Sequence, residues 1–197
     1  MSILLGQLPE TVTINGAEVP INTDFRVGIQ FEELLTSDLT PEQVTVEALR
    51  LYYPKIPDSG DQAIERLLWF YQGSKELPKS YQGSKEQVYS YEHDYDYILA
   101  AFMEQYKVDL SEARNLHWWK FRAMFVSLSE NTMLEKIMLY RSIDTRGMEL
   151  EQRRAYDKMK KLYQLPKRVS EERQQRDDAI IKALLNGGDV AAVLGSK

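Results

Sequence analysis

Apolar and polar residues alternate in one short stretch of the chain and elsewhere recur at helical spacing. The alternating stretch is Thr11 to Ile21, TVTI-NG-AEVPI. Asn15-Gly16 tolerates the positive φ angles of a type I′ turn, so the stretch predicts a β-hairpin. Pro20 cannot donate to a ladder, which places the second arm at an edge or ends it there. A lone two-stranded hairpin is marginal in water, so this one has to lie on helices or pair with another chain.

Helical periodicity takes over at Thr23. Thr23 or Asp24 caps a first helix carrying Phe25, Ile29 and Leu34, broadened by Phe31 and Leu35. Thr40-Pro41-Glu42-Gln43 is a capping box with proline at the first helical position. The helix it opens runs through Val44, Ala48, Leu49 and Tyr52 and stops before Pro54. A third helix, from about Asp61, carries Ile64, Leu67, Leu68 and Phe70, with Trp69 also expected to face the other helices.

The densest apolar stretch, Asp94 to Leu128, reads as two helices around which the rest folds. In the first, Ile98, Ala101, Phe102 and Tyr106 share a face that Leu99 and Met103 widen. In the second, Trp118, Phe121, Phe125 and Leu128 repeat at steps of three, four and three. Asp109 and Ser111 in the link are candidate helix-starting residues, and the pair predicts an antiparallel helical hairpin. Asn131 or Thr132 starts a further helix with Leu134, Ile137, Met138 and Tyr140.

Two segments break this pattern. Between Phe70 and Tyr91 the hexapeptide YQGSKE at 71–76 returns at 81–86, which is a small duplication rather than a solenoid, since solenoid units are longer and more numerous. Its polar composition buries too little apolar surface to offset ordering, which predicts a mobile loop over about 71–90. From Arg146 onward, Met148, Ala155, Met159 and Leu162 leave only a thin apolar seam in a charged helix, suited to contact with one partner. After Leu165-Pro166, Ser170 opens a last helix in which Ile180, Ile181, Leu184 and Leu185 precede a Gly187-Gly188 stop.

Several of these pieces together resemble a known family. They are Tyr91, Asp94, Tyr95 and Asp96, then YILAAFMEQY, VDL, LHWWKFRAMFVSL, and KIMLYR at Lys136 to Arg141, with TDFRVGIQFEELL nearer the start. Over roughly residues 10 to 145 the chain resembles the "bacteriophage gene product fifteen" family of phages of Gram-positive bacteria, and LHWWKF at 116–121 is the most specific part. The resemblance implies a tail-module protein similar to a tail assembly chaperone, with the tape-measure protein as partner. It brings no catalytic motif.

Composition narrows the classes further. A chain of 197 residues with 43% hydrophobic content can bury a core. Cysteine is absent, which excludes disulfides and thiolate metal sites and fits a reducing cytosol. No apolar run reaches the roughly 20 residues of a membrane helix, and residues 1–8 lack a basic n-region, so the expected location is the host cytoplasm. LPET at Leu8 to Thr11 lacks the glycine and tail of a sortase signal.

His117 beside two tryptophans has only His93 as a second histidine, and reads as packing rather than zinc ligation. Tyr91, Glu92, Asp94 and Asp96 lack the glycine and closing glutamate of a calcium loop, and read as a solvated helix start near the positive end of its dipole. Of the methionines, Met124 and Met138 read as core, while Met148 and Met159 suit a core or an adaptable surface equally. The basic residues Arg153, Arg154, Lys158, Lys160, Lys161, Lys167 and Arg168 are interrupted by acids with no aromatic platform, which favours a solvated face or an acidic protein partner over nucleic acid. No phosphate loop, nucleophile elbow or HExxH pair is present, so no enzyme and no cofactor is expected.

The sequence therefore reads as mainly α: a helical bundle with an N-terminal β-hairpin over 1–144 and an extended polar helical C-terminal region over 145–197. Partner binding is assigned to Met148, Ala155, Met159, Leu162, Arg153, Arg154 and Lys158. The expected function is a non-catalytic tail assembly chaperone for the tape-measure protein, with a homo-oligomer also open. The alternatives are a structural virion component, such as a connector or tail-completion protein, and a nucleic-acid-associated phage factor.

Overall fold

The computed structural model describes residues 6–73 and 87–166. Among them are β1 (Thr11–Ile14), β2 (Ala17–Pro20) and seven helices: α1 (Phe25–Leu35), α2 (Pro41–Tyr52), α3 (Gly60–Tyr71), α4 (Tyr95–Tyr106), α5 (Trp118–Phe125), α6 (Met133–Ser142) and α7 (Leu150–Leu162). The fold is mainly α-helical with an N-terminal antiparallel hairpin. Most of the expected loop over 71–90 and the expected helix around Ile180 to Leu185 lie outside the described residues. Contacts group the described chain into two units, one of 6–73 with Asn115–Phe121, the other of 87–114 with 122–166.

In the first unit, the hairpin pairs Ile14 with Ala17 and Thr11 with Pro20 across a turn in which Asn15 and Gly16 have φ of 50° and 78°. Both central residues of a type I′ turn need positive φ, which explains Asn-Gly here. Val12 and Ile14 are buried, and β1 packs on α3, so the marginal hairpin gains its support from a helix. Asp24 caps α1 by accepting the Arg26 N–H at 2.9 Å, and Thr40 and Gln43 close the capping box of α2.

The buried face of α1 is Phe25, Val27, Gly28 and Phe31, whereas Ile29 and Leu34 are only half-buried. The face centres on Gly28 because the Trp118 ring lies directly against it, where any Cβ would overlap the indole. Around that contact runs a chain of touching rings, Phe25–Phe121–Trp118–Tyr71–Phe31–Tyr52–Phe70, with centroids 4.9–6.2 Å apart. Trp69, expected to face the other helices, is 37% exposed and meets only the edge of Trp119 among the ring contacts.

The second unit is built on Ile98, Ala101 and Phe102 of α4 with Leu134 and Ile137 of α6. Met103, expected to widen the α4 stripe, is 46% exposed. Lys107, at φ 57°, ends α4 in the left-handed region. Asp109 and Ser111 do not start a helix: Asp109 accepts the Ser111 N–H at 2.9 Å in a local turn, and α5 begins only at Trp118. The expected α4–α5 hairpin is therefore not the organising centre, because Asn115–Phe121 groups with the N-terminal elements and α4 with α6 and α7.

Candidate functional site

The rarest motif, LHWWKF, is the first candidate, and its imidazole and both indole N–H groups are committed to holding the first unit together. The Phe25 N–H donates to the Leu116 carbonyl at 2.9 Å and the Trp118 N–H to the Thr23 carbonyl at 2.7 Å, forming a short antiparallel bridge before α1. The Trp118 indole N–H donates to the Tyr71 carbonyl at 2.8 Å and that of Trp119 to the Phe70 carbonyl at 2.6 Å. The Phe70 carbonyl also accepts the Gly73 N–H at 3.0 Å, and with the indoles on it and on the Tyr71 carbonyl the adjacent tryptophans act as a C-terminal clamp on α3.

His117 completes the motif. Its Nδ1 accepts the Trp119 N–H at 3.0 Å, so Nε2 carries the proton and donates to the Pro9 carbonyl, also at 3.0 Å. Burial holds the imidazole below its usual range, the Pro9 hydrogen bond pulls the other way, and Lys120 adds to the lowering. Both ring nitrogens are used, which makes His117 the packing residue the sequence implies, with no nitrogen left for a ligand.

Asp94 is a correction. Instead of sitting in a solvated helix start, it is 1% exposed and takes a two-point hydrogen bond from Arg141, Nη1 to Oδ2 at 2.6 Å and Nη2 to Oδ1 at 2.8 Å. Asp94 also accepts the Ser90 N–H, while Arg141 donates to the carbonyls of Val88 and Tyr163. One guanidinium thus ties the segment before α4, the start of α4, the end of α6 and the residue after α7. Glu92 and Asp96 remain exposed, and among the described residues no group of three His, Asp or Glu side chains is placed to hold a metal ion.

The remaining candidate is α7, which contains no buried residue. Its half-buried positions are Tyr156, Met159, Lys160 and Tyr163, at helical steps of three, one and three. They meet the rest of the unit through tyrosines: Tyr140 lies 6.2 Å from Tyr156 and 6.0 Å from Tyr163, and Tyr97 lies 6.4 Å from Tyr163, centroid to centroid. The expected seam of Met148, Ala155, Met159 and Leu162 is therefore split. Met148 and Met159 are half-buried, Ala155 is exposed, and Leu162 is 65% exposed. The methionine seam lies about a quarter turn from the contact line, because rings too polar to look like core are what α7 docks with.

Outward, α7 presents Leu150, 62% exposed, together with Arg154, Lys158 and Leu162. Arg153 forms an exposed pair with Asp157 at 3.6 Å, whereas neither Arg154 nor Lys158 forms an ion pair among the described residues. The signal missed in the sequence was the pair Tyr156 and Tyr163, seven residues apart and opposite the leucines.

The described residues form a predominantly helical fold with a supported hairpin, a tryptophan clamp and a last helix that bears exposed leucines and cations. Over residues 4–165 it matches the family described as Bacteriophage Gp15 protein, and it belongs to that family. No curated protein and no solved structure matches it. No helix among the described residues is long and apolar enough to cross a membrane.

Proposed function

We propose that the protein is a non-catalytic tail assembly chaperone that binds the tape-measure protein in the cytoplasm of a Gram-positive host during phage tail morphogenesis. Membership in a bacteriophage family sets the context and fits the second reading, a virion-associated structural protein, as well as this one. The observation that carries the reading is α7, a helix without a buried side chain whose Leu150 and Leu162 stand in solvent at its two ends. Tertiary burial supplies most of a helix's stability, so a helix held along one edge, by tyrosine rings and a hydrogen bond from Thr145 to Asp157, leaves its other face to serve a partner. Exposed leucines, with half-buried Met148 and Met159 beside them, suit an apolar helical partner.

Co-expression with the tape-measure protein tests this. The wild-type chain should keep that protein in the soluble fraction, and the double substitution Leu150→Ser and Leu162→Ser, at positions that do not support the fold, should let it precipitate. Equal solubility with both forms refutes the role of α7. Mass spectrometry of purified virions separates the second reading, in which the chain is itself a fixed part of the particle: a chaperone is absent, a connector is present at constant copy number.

A further inference from the structure

The outward faces of two helices carry complementary ridges. On α3, Asp61, Glu65 and Trp69 follow one another at steps of four, and all three are exposed. On α7, Leu150, Arg154, Lys158 and Leu162 do the same. Each step of four residues rises about 6 Å, so the two ridges share one spacing. Laid side by side in parallel, they oppose Asp61 to Arg154, Glu65 to Lys158 and Trp69 to Leu162; reversed, they oppose Asp61 to Lys158, Glu65 to Arg154 and Trp69 to Leu150. Interlocking of two such rows of side chains is the commonest way helices pack.

The charges around the ridges agree with this. The described residues of the first unit hold 11 acidic and 5 basic side chains, whereas α7 with its preceding Glu149 holds 3 acidic and 5 basic. Glu65 has a salt bridge to Arg66 at 2.9 Å, but that pair is exposed and easily exchanged. A tryptophan exposed along one edge at the end of an acidic ridge, as Trp69 is, is also the kind of residue on which interfaces concentrate their affinity, and arginine is another.

We propose that the α7 ridge of one copy docks on the α3 ridge of a second copy. The two surfaces differ, so a single contact is head-to-tail and leads to a closed ring or an extending chain, whereas two reciprocal contacts close a two-fold pair. This needs only the chain itself; because it uses the Leu150 and Leu162 face also proposed for the tape-measure protein, the two partners compete for that face, and the test uses the chain alone.

Light scattering at low salt, about 20 mM, and at about 500 mM, where charges are screened beyond a few ångströms, tests the proposal. The wild-type protein should exceed the mass of one chain at low salt and shift toward it at high salt. Asp61→Lys with Glu65→Lys, and separately Arg154→Glu with Lys158→Glu, should each give a one-chain mass with unchanged helical circular dichroism. Mixed in equal amounts, these two variants should form a species of two chains and nothing larger, because one intact pair of ridges remains between them. A wild-type protein that stays at one-chain mass overturns the proposal and leaves the α7 ridge to an acidic helix of another protein. Oligomers that persist in either variant, or a mixture that stays monomeric, overturn it as well.

Discussion

Gly28→Ala isolates the contact on which the first unit turns. Alanine is favoured over glycine inside a helix by about 0.8–1.0 kcal/mol, so at an open helical site the change would stabilise. At Gly28 the new methyl would occupy the space of the fully buried Trp118 ring. Overpacking of a filled core costs about 1–3 kcal/mol. Shifting the ring also weakens its bond to the Tyr71 carbonyl, worth about 0.5–1.5 kcal/mol. The net expectation is a loss of about 1–3 kcal/mol, or roughly 3–10 °C in melting temperature for a chain of this size. Urea unfolding followed by tryptophan fluorescence measures it, with Gly6→Ala as a control, since nothing lies within 4 Å of a Cβ there. The decisive comparison is Gly28→Ala in a Trp118→Leu background, where the obstructing ring is gone and the substitution should become neutral or stabilising. If Gly28→Ala stabilises the wild-type protein, or costs the same in both backgrounds, the reasoning from the Trp118 contact is wrong.

Three further expectations follow the same logic. Asp94→Asn or Arg141→Met should destabilise by about 3–5 kcal/mol in chemical denaturation, because either leaves the other partner buried and unmatched; a loss below about 1 kcal/mol would mean the pair is open to water. His117 has its proton affinity lowered by folding, so its contribution is present above the ordinary imidazole value near 6.5 and is lost as the pH falls below it. His117→Gln should flatten the stability profile between about pH 7 and 5; an unchanged slope would assign the acid sensitivity elsewhere. Deleting residues 77–86 leaves one YQGSKE copy and should shift the melting temperature by only a few degrees, since loop closure depends weakly on length; loss of soluble expression would make the segment structural.

Elements with a local cause were legible in the sequence. The Asn-Gly turn, the Thr40 capping box and the Asp24 cap each arise from residues within a few positions of one another, and all three form as their chemistry dictates. Long-range causes were not legible. Trp69 and Trp119 are equally apolar, yet the carbonyl that accepts the Trp119 indole lies 49 residues away, and only the assembled helices decide which of the two is enclosed. Gly28 drew no notice in the sequence, because its value lies in the side chain it lacks, opposite a ring 90 positions on. Asp94 looked like an ordinary acid at a helix start for the same reason: Arg141, the residue that permits its burial, is 47 positions further along.

The sequence assigned the thin seam of Met148, Ala155, Met159 and Leu162 to contact with a partner rather than to the core, and it did not show which face of the helix meets its own unit. The inward face of α7 and the residue after it combines Tyr156 and Tyr163 with Met159 and Lys160, and hydropathy ranks the tyrosines below the leucines that remain outside. Of the seven residues assigned to partner binding, Leu162, Ala155, Arg153, Arg154 and Lys158 are exposed, and Met148 and Met159 lie half-buried. The surface is thus more basic and less methionine-rich than the sequence implied. Salt dependence of binding is therefore the property that tells an electrostatic contact at this surface from an apolar one.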